Sequence, residues 1–521
     1  MEAKKLLTIA LTGLLAGGCL MVPALAEDAD GQSSGNPATY TIPARVKRIE
    51  DYAFAGDTSL ERVKIPDGVT EIGDYAFSGC TNLQEIELPD GLTKIGNHAF
   101  DGCTALVRLG DMNQLESIGE YAFSGCEALE SIGDMPKLQT IGNYAFAEQT
   151  VTDEDSGTST TVSCKSLKTV GNLDSVTRIG SEAFSGCREL ESIGALPNVT
   201  RIAFGAFQNC EKLKKVEGLG KLTAINRNTF TGCTSLKSIG NLLNVTSIGE
   251  QAFAGCASLE SIGNLQNVKS IGSSAFGSYV CYDENHMYQH VYCTSLKSIG
   301  DMPKLETIGA SAFECCSSLE SVGDLSSVTS IGESTFIGCS SLESVGDLSS
   351  VTSIGNSAFS GCSSLASIGN LPNVTSIGER AFGSIYVYDS EAGKGEYIYC
   401  TSLKEIGCMP KLQTISSSAF EGCSALASIG DLSSVTSIGA SAFDGCSSLE
   451  SVGDLSSVTS IGEWAFSGCS SLASIGDLRS VTEIGNYAFY ECPSLTLRVL
   501  PNSYAEDYAK SNSIPYTYIE D

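Results

Sequence analysis

Tryptophan and histidine are almost missing from this chain of 521 residues, which holds one Trp and three His. Two of the histidines, His286 and His290, share one short stretch, so His98 is the sole histidine elsewhere and the abundant serines have few bases to activate them. No nucleophile elbow, HExxH helix or phosphate loop is present either. These absences argue against an enzyme, and no cofactor is expected. Positive charge is scarce as well: 31 Lys and Arg stand against 61 Asp and Glu, a formal net charge of −30. Like charges repel along such a chain, which excludes nucleic-acid backbones and anionic membrane surfaces as partners. Beyond the first 26 residues no long apolar run occurs, so no transmembrane segment is expected in the mature chain.

What is present at the N-terminus is an address. Lys4 and Lys5 precede an apolar run from Leu6 to Leu15, and Ala24 and Ala26 are the small residues that signal-peptidase cleavage requires. Residues 1–26 are expected to be a signal peptide, giving a mature chain from Glu27 and a secreted or cell-surface location. A lipoprotein signal ending at Cys19 is the rival, against which the apolar Leu20-Met21-Val22 speaks. Residues 27–41 are expected to form a flexible polar linker.

The body of the chain repeats itself. The stretch CSSLESVGDLSSVTSIG occurs unchanged at 316–332, 339–355 and 446–462. A column of cysteines from Cys80 to Cys492, preceded by Asp57, recurs every 23 residues apart from three intervals of 38, 37 and 38. Apolar residues follow each column cysteine at +3, +6, +9, +12, +15 and +19/+20, as in Leu319, Val322, Leu325, Val328, Ile331 and Phe336. A unit this short cannot bury its own apolar face, so successive units must stack over one continuous core. Glycines at +7, +16 and +22 are expected to supply positive-φ corners. The result is a solenoid of about 17 coils with short parallel strands, a rod on the order of 80 Å long.

The pattern C-x-x-L-x-x-I-x-x-L-x-x-V-x-x-I-G-x-x-A-F-x-G resembles the BspA-like (treponemal-type) leucine-rich repeat over residues 42–501. The units at 60–80 (LERVKIPDGVTEIGDYAFSGC) and 83–100 resemble it best, whereas most internal units replace I-x-I-P by I-G-D/N-L. The resemblance implies a bacterial surface or secreted protein that adheres to host matrix proteins, epithelial cells or other bacteria, without enzymatic activity.

Two polar columns need a reading. The cysteines point one way, each above the next, which does not suit disulfide geometry; they read as small buried corner residues. Asp and Asn alternate at +8 (Asp111, Asp134, Asn172, Asn241, Asp324, Asp347, Asp454), either as a calcium ladder or as turn residues that bond backbone N–H groups. The strand face is rich in Ser, with +4 switching between Glu and Lys, and lacks the Trp, Tyr and Arg anchors of interfaces.

Repetition stops at three insertions, near 147–163, 278–292 and 384–399, each between an Ala-Phe and the next column cysteine. All three read as β-hairpins on one edge of the rod, five and then four coils apart. The second and third hold Tyr279, Tyr282, Tyr288, Tyr292, Tyr386, Tyr388, Tyr397 and Tyr399, eight of the 19 tyrosines. Tyrosine gives large contact area at low entropic cost, so these are candidate ligand-binding residues; alternatively the rings only pack the hairpins. Cys281, His286 and His290 have zinc-ligand chemistry and are a weak metal candidate. Residues 502–521 are expected to cap the stack with a helix entered through Asn502 or Ser503 and an extended tail after Pro515. Taken together these features suit a binding scaffold for a protein or glycan ligand, with a structural spacer and a metal-dependent binding module as alternatives.

Overall fold

The computed structural model describes residues 39–152, 159–282, 288–389 and 394–519. Each repeat forms one turn of a parallel β-solenoid of about 20 turns. Short strands build two parallel ladders along the rod, each divided into three sheets, of seven, two and six strands on one side and seven, four and seven on the other. One ladder takes positions +5 and +6, as in Ser131–Ile132 and Ser451–Val452; the other takes +14 and +15, as in Ser117–Ile118 and Ser460–Ile461. In both, the Ile or Val faces the core and its polar neighbour faces out, because successive side chains of a strand alternate sides.

Register follows the repeat. Glu71 pairs with Lys94 and Lys94 with Ser117, each one period on. Across the insertions Thr140 pairs with Arg178, Ser270 with Thr307 and Ser376 with Thr414, so the extra residues are looped out and the ladder closes behind them. The rod exceeds the 17 periods between Asp57 and Cys492 because Thr39–Thr41 adds a rung at one end and Tyr516–Tyr518 another at the other. The extended segment after Pro515 is thus the last strand, paired with Thr496–Val499.

The core is a set of columns. Eighteen phenylalanines, from Phe54 to Phe489, stack with centroids 5.0–5.5 Å apart and planes within 15°. The stack runs unbroken past the first insertion, where Phe146 and Phe184 are 5.0 Å apart. Tyr40 closes it edge-on at one end and Tyr508 at the other. Beside it run the buried Leu, Ile and Val columns.

The cysteine column has a bonding role. Each thiol donates to the phenylalanine carbonyl one coil back, as Cys126 Sγ to Phe100 (3.2 Å) and Cys233 Sγ to Phe207 (3.1 Å). Asp57 holds the first position, where no earlier phenylalanine carbonyl exists; it accepts instead from the Ser59 N–H and hydroxyl. All cysteines among the described residues are free. Burial pushes the column thiols up, Cys164 to about 12, so they stay protonated and unreactive. Cys408 is exposed. A thiol reagent is expected to label the exposed Cys408 and the half-buried Cys281 before the buried column; a fast phase that survives Cys408→Ser combined with Cys281→Ser would contradict this.

Two expectations about corners and charges change. Only the +22 glycines have left-handed φ throughout, for example Gly79 at 72°. At +16 the requirement is close approach: a Cβ on Gly119 would stand 2.5 Å from the Gly96 carbonyl carbon. The second left-handed corner lies at +18, where His98, Tyr121, Gln251 and Ser334 adopt φ of 52–54° without being glycine. At +4 some Glu and Lys pair between adjacent coils: Lys214 Nζ lies 2.6 Å from the Glu191 carboxylate, one coil below, and Lys168 Nζ 3.6 Å from Glu130.

The C-terminal cap is the helix Tyr504–Ser511, with Ser503 as N-cap accepting from the Glu506 N–H. Glu506 is buried; Lys510, the Tyr518 hydroxyl and the Asn502 N–H bond its carboxylate and hold its pKa down to about 2. The cap should therefore be fully stable above the ordinary glutamate range near 4.5 and loosen as pH falls from there towards 2. Amide protection in 504–511, relative to the intrinsic rate at each pH, is expected to fall over that window, and Glu506→Gln to flatten the dependence.

Candidate binding surfaces

The three insertions are antiparallel hairpins: Gln149–Thr152 with Ser159–Val162, Tyr279–Tyr282 with Tyr288–Val291, and Ile385–Asp389 with Lys394–Ile398. Their seat is the +22 glycine column, which leaves a groove wide enough for a second layer. In the second hairpin the Tyr279 ring lies 3.2 Å from the site of a Cβ on Gly232 and crosses Gly255. In the third, Ile385 covers Gly361 and Tyr399 covers Gly422; in the first, Val162 covers Gly125.

The tyrosines fall into two sets, Tyr292 and Tyr399 lying just past their strands at the position before a column cysteine. Tyr279, Tyr292 and Tyr399 face the rod. Tyr292 stands in the glycine column itself, where burial, then Cys315 and Glu314, push its hydroxyl up to about 12. Tyr288 faces outward at 70% exposure, as do Tyr386 (55%) and Tyr397 (60%). Tyr386 and Tyr397 form a cross-strand pair 5.1 Å apart, and the Tyr386 ring crosses Gly395, where a side chain would block it. The inner set packs the hairpins onto the rod, and the outer set is exposed. The side chains of Tyr282 and Tyr388 and the whole of His286 lie outside the described residues.

Of the zinc candidates, Cys281 and His290 are not brought together. Val280 pairs with His290 and Cys281 with Gln289, so Cys281 and His290 point to opposite hairpin faces. No group of three potential ligands occurs among the described residues. The +8 column does turn chemistry: Asp324, Asp347 and Asp454 each accept from the N–H two residues on, at 2.8–2.9 Å. Asp111 accepts from Asp134 N at 2.8 Å, one coil on.

A further column escaped the sequence reading, although it was spelled out beside each Ala-Phe in DYAF, NHAF, EYAF and EWAF. At +18, Tyr52, Tyr75, His98, Tyr121 and Tyr144 stack with 4.4–4.8 Å steps along one side of the first five coils. His98 Nδ1 is 2.9 Å from the Asp101 carboxylate. Burial raises Asp101 above the usual carboxylate range, and the His98 bond opposes that rise. The column fills again only at Trp464 and Tyr487, 4.5 Å apart, with Tyr490 edge-on beside both.

A parallel solenoid with a buried cysteine column, an aromatic spine and side-mounted hairpins defines a leucine-rich repeat scaffold. The family described as BspA type leucine rich repeat region (6 copies) matches residues 33–152, 157–281, 286–388 and 390–514, and the chain belongs to it. Among solved structures, a leucine-rich repeat protein from Bacteroides ovatus is 24% identical, with 94% of each chain covered and a TM-score of 0.39. A leucine rich cell surface protein from Faecalibacterium prausnitzii is 22% identical over 85% of this chain and 88% of its own, with a TM-score of 0.33. Comparison with curated proteins gave no match. No helix among the described residues is long and apolar enough to cross a membrane.

Proposed function

We propose that the chain is a secreted or cell-surface adhesion scaffold that binds a protein or glycan on host matrix or neighbouring cells through the outer faces of its hairpins. The family suggests a surface or protein-binding role. The observation that carries the finer reading is the outward set, Tyr288, Tyr386 and Tyr397, each more than half exposed on hairpins anchored by their inner rings. Large exposed tyrosines on a rigid support give contact area without a large ordering cost on binding. With about 4.8 Å per coil, the hairpins stand about 20–25 Å apart on one edge, a spacing that allows one extended ligand to touch more than one of them.

The test is binding to immobilised fibronectin, fibrinogen and mucin glycans by residues 27–521 and by a variant with all three insertions cut back to the 23-residue repeat. Loss of binding with circular dichroism unchanged is expected. Undiminished binding by the trimmed rod would move recognition off the hairpins, and no binding by either protein would favour the spacer.

A further inference from the structure

The single tryptophan sits at a +18 corner whose occupant elsewhere is usually small or polar. Ser418 and Ser441 hold the same corner in the two preceding coils, so on that side the Trp464 indole meets no ring. Its other side is backed by Tyr487, stacked at 4.5 Å, and Tyr490 stands at 75° to it as a wall. Tyr487 and Tyr490 are 53% and 49% exposed. Tyr490 belongs to the next column, at +21, and in the coils below the indole that column carries Glu421 and Asp444. Two rows thus run side by side: serines beneath the indole at +18, and at +21 two carboxylates that the buried Ser467 separates from Tyr490.

The electrostatics of this segment are one-sided. From Leu412 to Asp477 there are seven carboxylates and no Lys or Arg. Elsewhere on the rod such carboxylates meet lysines from the adjacent coil, as at Glu191 and Lys214. Asp477 is held by Arg479, just beyond this stretch, and the stretch itself supplies no cation to the other six. Indole presents the most negative π-face of any side chain, and a guanidinium, planar and weakly hydrated, both stacks on it and bonds carboxylates at its edge.

We propose that Trp464, with Asp444 and Glu421, forms a docking site for an arginine in a basic, extended segment of a protein partner. The site is separate from the hairpins and rests only on the reading of the rod as a protein-binding scaffold. Glu421 and Asp444 stand in successive coils beside Ser418 and Ser441, so a flanking basic residue meets a second carboxylate one step down the rod, while the indole fixes the register.

Because Trp464 is the sole tryptophan, its emission reports this site alone. Octa-arginine is expected to change the emission of residues 27–521 saturably and to do so equally in the hairpin-trimmed protein. By anisotropy of labelled octa-arginine, Trp464→Ser should weaken binding about five- to tenfold at fixed ionic strength. Serine is the residue of the two preceding coils at this corner, so that variant keeps the coil. Asp444→Asn should weaken binding with Trp464 intact. Equal affinity for wild type and Trp464→Ser would reduce the effect to general attraction by a polyanion and overturn the proposal. An emission change with maltohexaose and none with octa-arginine would overturn it in favour of a sugar platform. Loss of matrix-protein binding on hairpin removal, with the octa-arginine response kept, separates this site from the hairpin reading.

Discussion

Phe253→Ala lowers the stability of the rod by about 3–5 kcal/mol, the range for removing a fully buried ring. Phe253 stacks between Phe230 at 5.4 Å and Phe276 at 5.2 Å. These neighbours cannot close the gap, because the backbone rise is set by hydrogen bonds on both sides of the turn, such as Phe230 N to Ala252 O and Phe253 N to Ala275 O. Relaxation being blocked, the cost belongs near the upper end of the range. A solenoid transmits stability only between nearest neighbours, so a weak central interface also divides its cooperativity. Chemical denaturation of the variant should show two steps where the parent shows one. A single transition shifted by less than about 1 kcal/mol would mean that the ring column is not the spine of the fold.

The second large effect lies at the hairpin seat. Gly102→Ala and Gly255→Ala both force a Cβ onto a left-handed backbone, φ 73° and 71°, which costs roughly 1–2 kcal/mol in each case. Around Gly102 the nearest atom to such a Cβ is 3.9 Å away, so nothing more is lost. At Gly255 the Cβ would stand 2.5 Å from the Tyr279 Cβ, and the second hairpin must lift. The expected signature is a further loss of roughly 1–3 kcal/mol together with new solvent exposure of the Tyr279 ring, measured by hydrogen exchange across 279–291. Equal destabilisation in the two variants, with exchange unchanged, would show that the hairpin is not held by the glycine column. The pair also supplies a tool: Gly255→Ala frees one hairpin without deleting it, so a ligand that needs the hairpin rigid loses affinity while one that needs only its sequence does not.

The period of 23, the sites of the three insertions, the inward columns and the capping helix follow from the order of residues alone. Each is set by composition within one turn, and a turn is short enough to be read by eye. The +22 glycines were legible for the same reason, since a left-handed corner favours the residue without a Cβ. The +18 corner was not, because Tyr, Ser, Gln and Trp share no chemistry that announces a positive φ; only the stacked coils impose it.

The tertiary structure decided which tyrosines face out. Tyr279 and Tyr288 occupy one hairpin and look alike in sequence, yet one crosses Gly232 and Gly255 and the other meets solvent. That choice depends on a groove made by glycines one and two coils earlier in the chain. In the same way, residues 23 positions apart become the stacked rings of Tyr52 to Tyr144 and the shelf under Trp464. Periodicity is a property of a line and can be counted along it. Facing is a property of surfaces brought together, and it exists only once the coils have stacked.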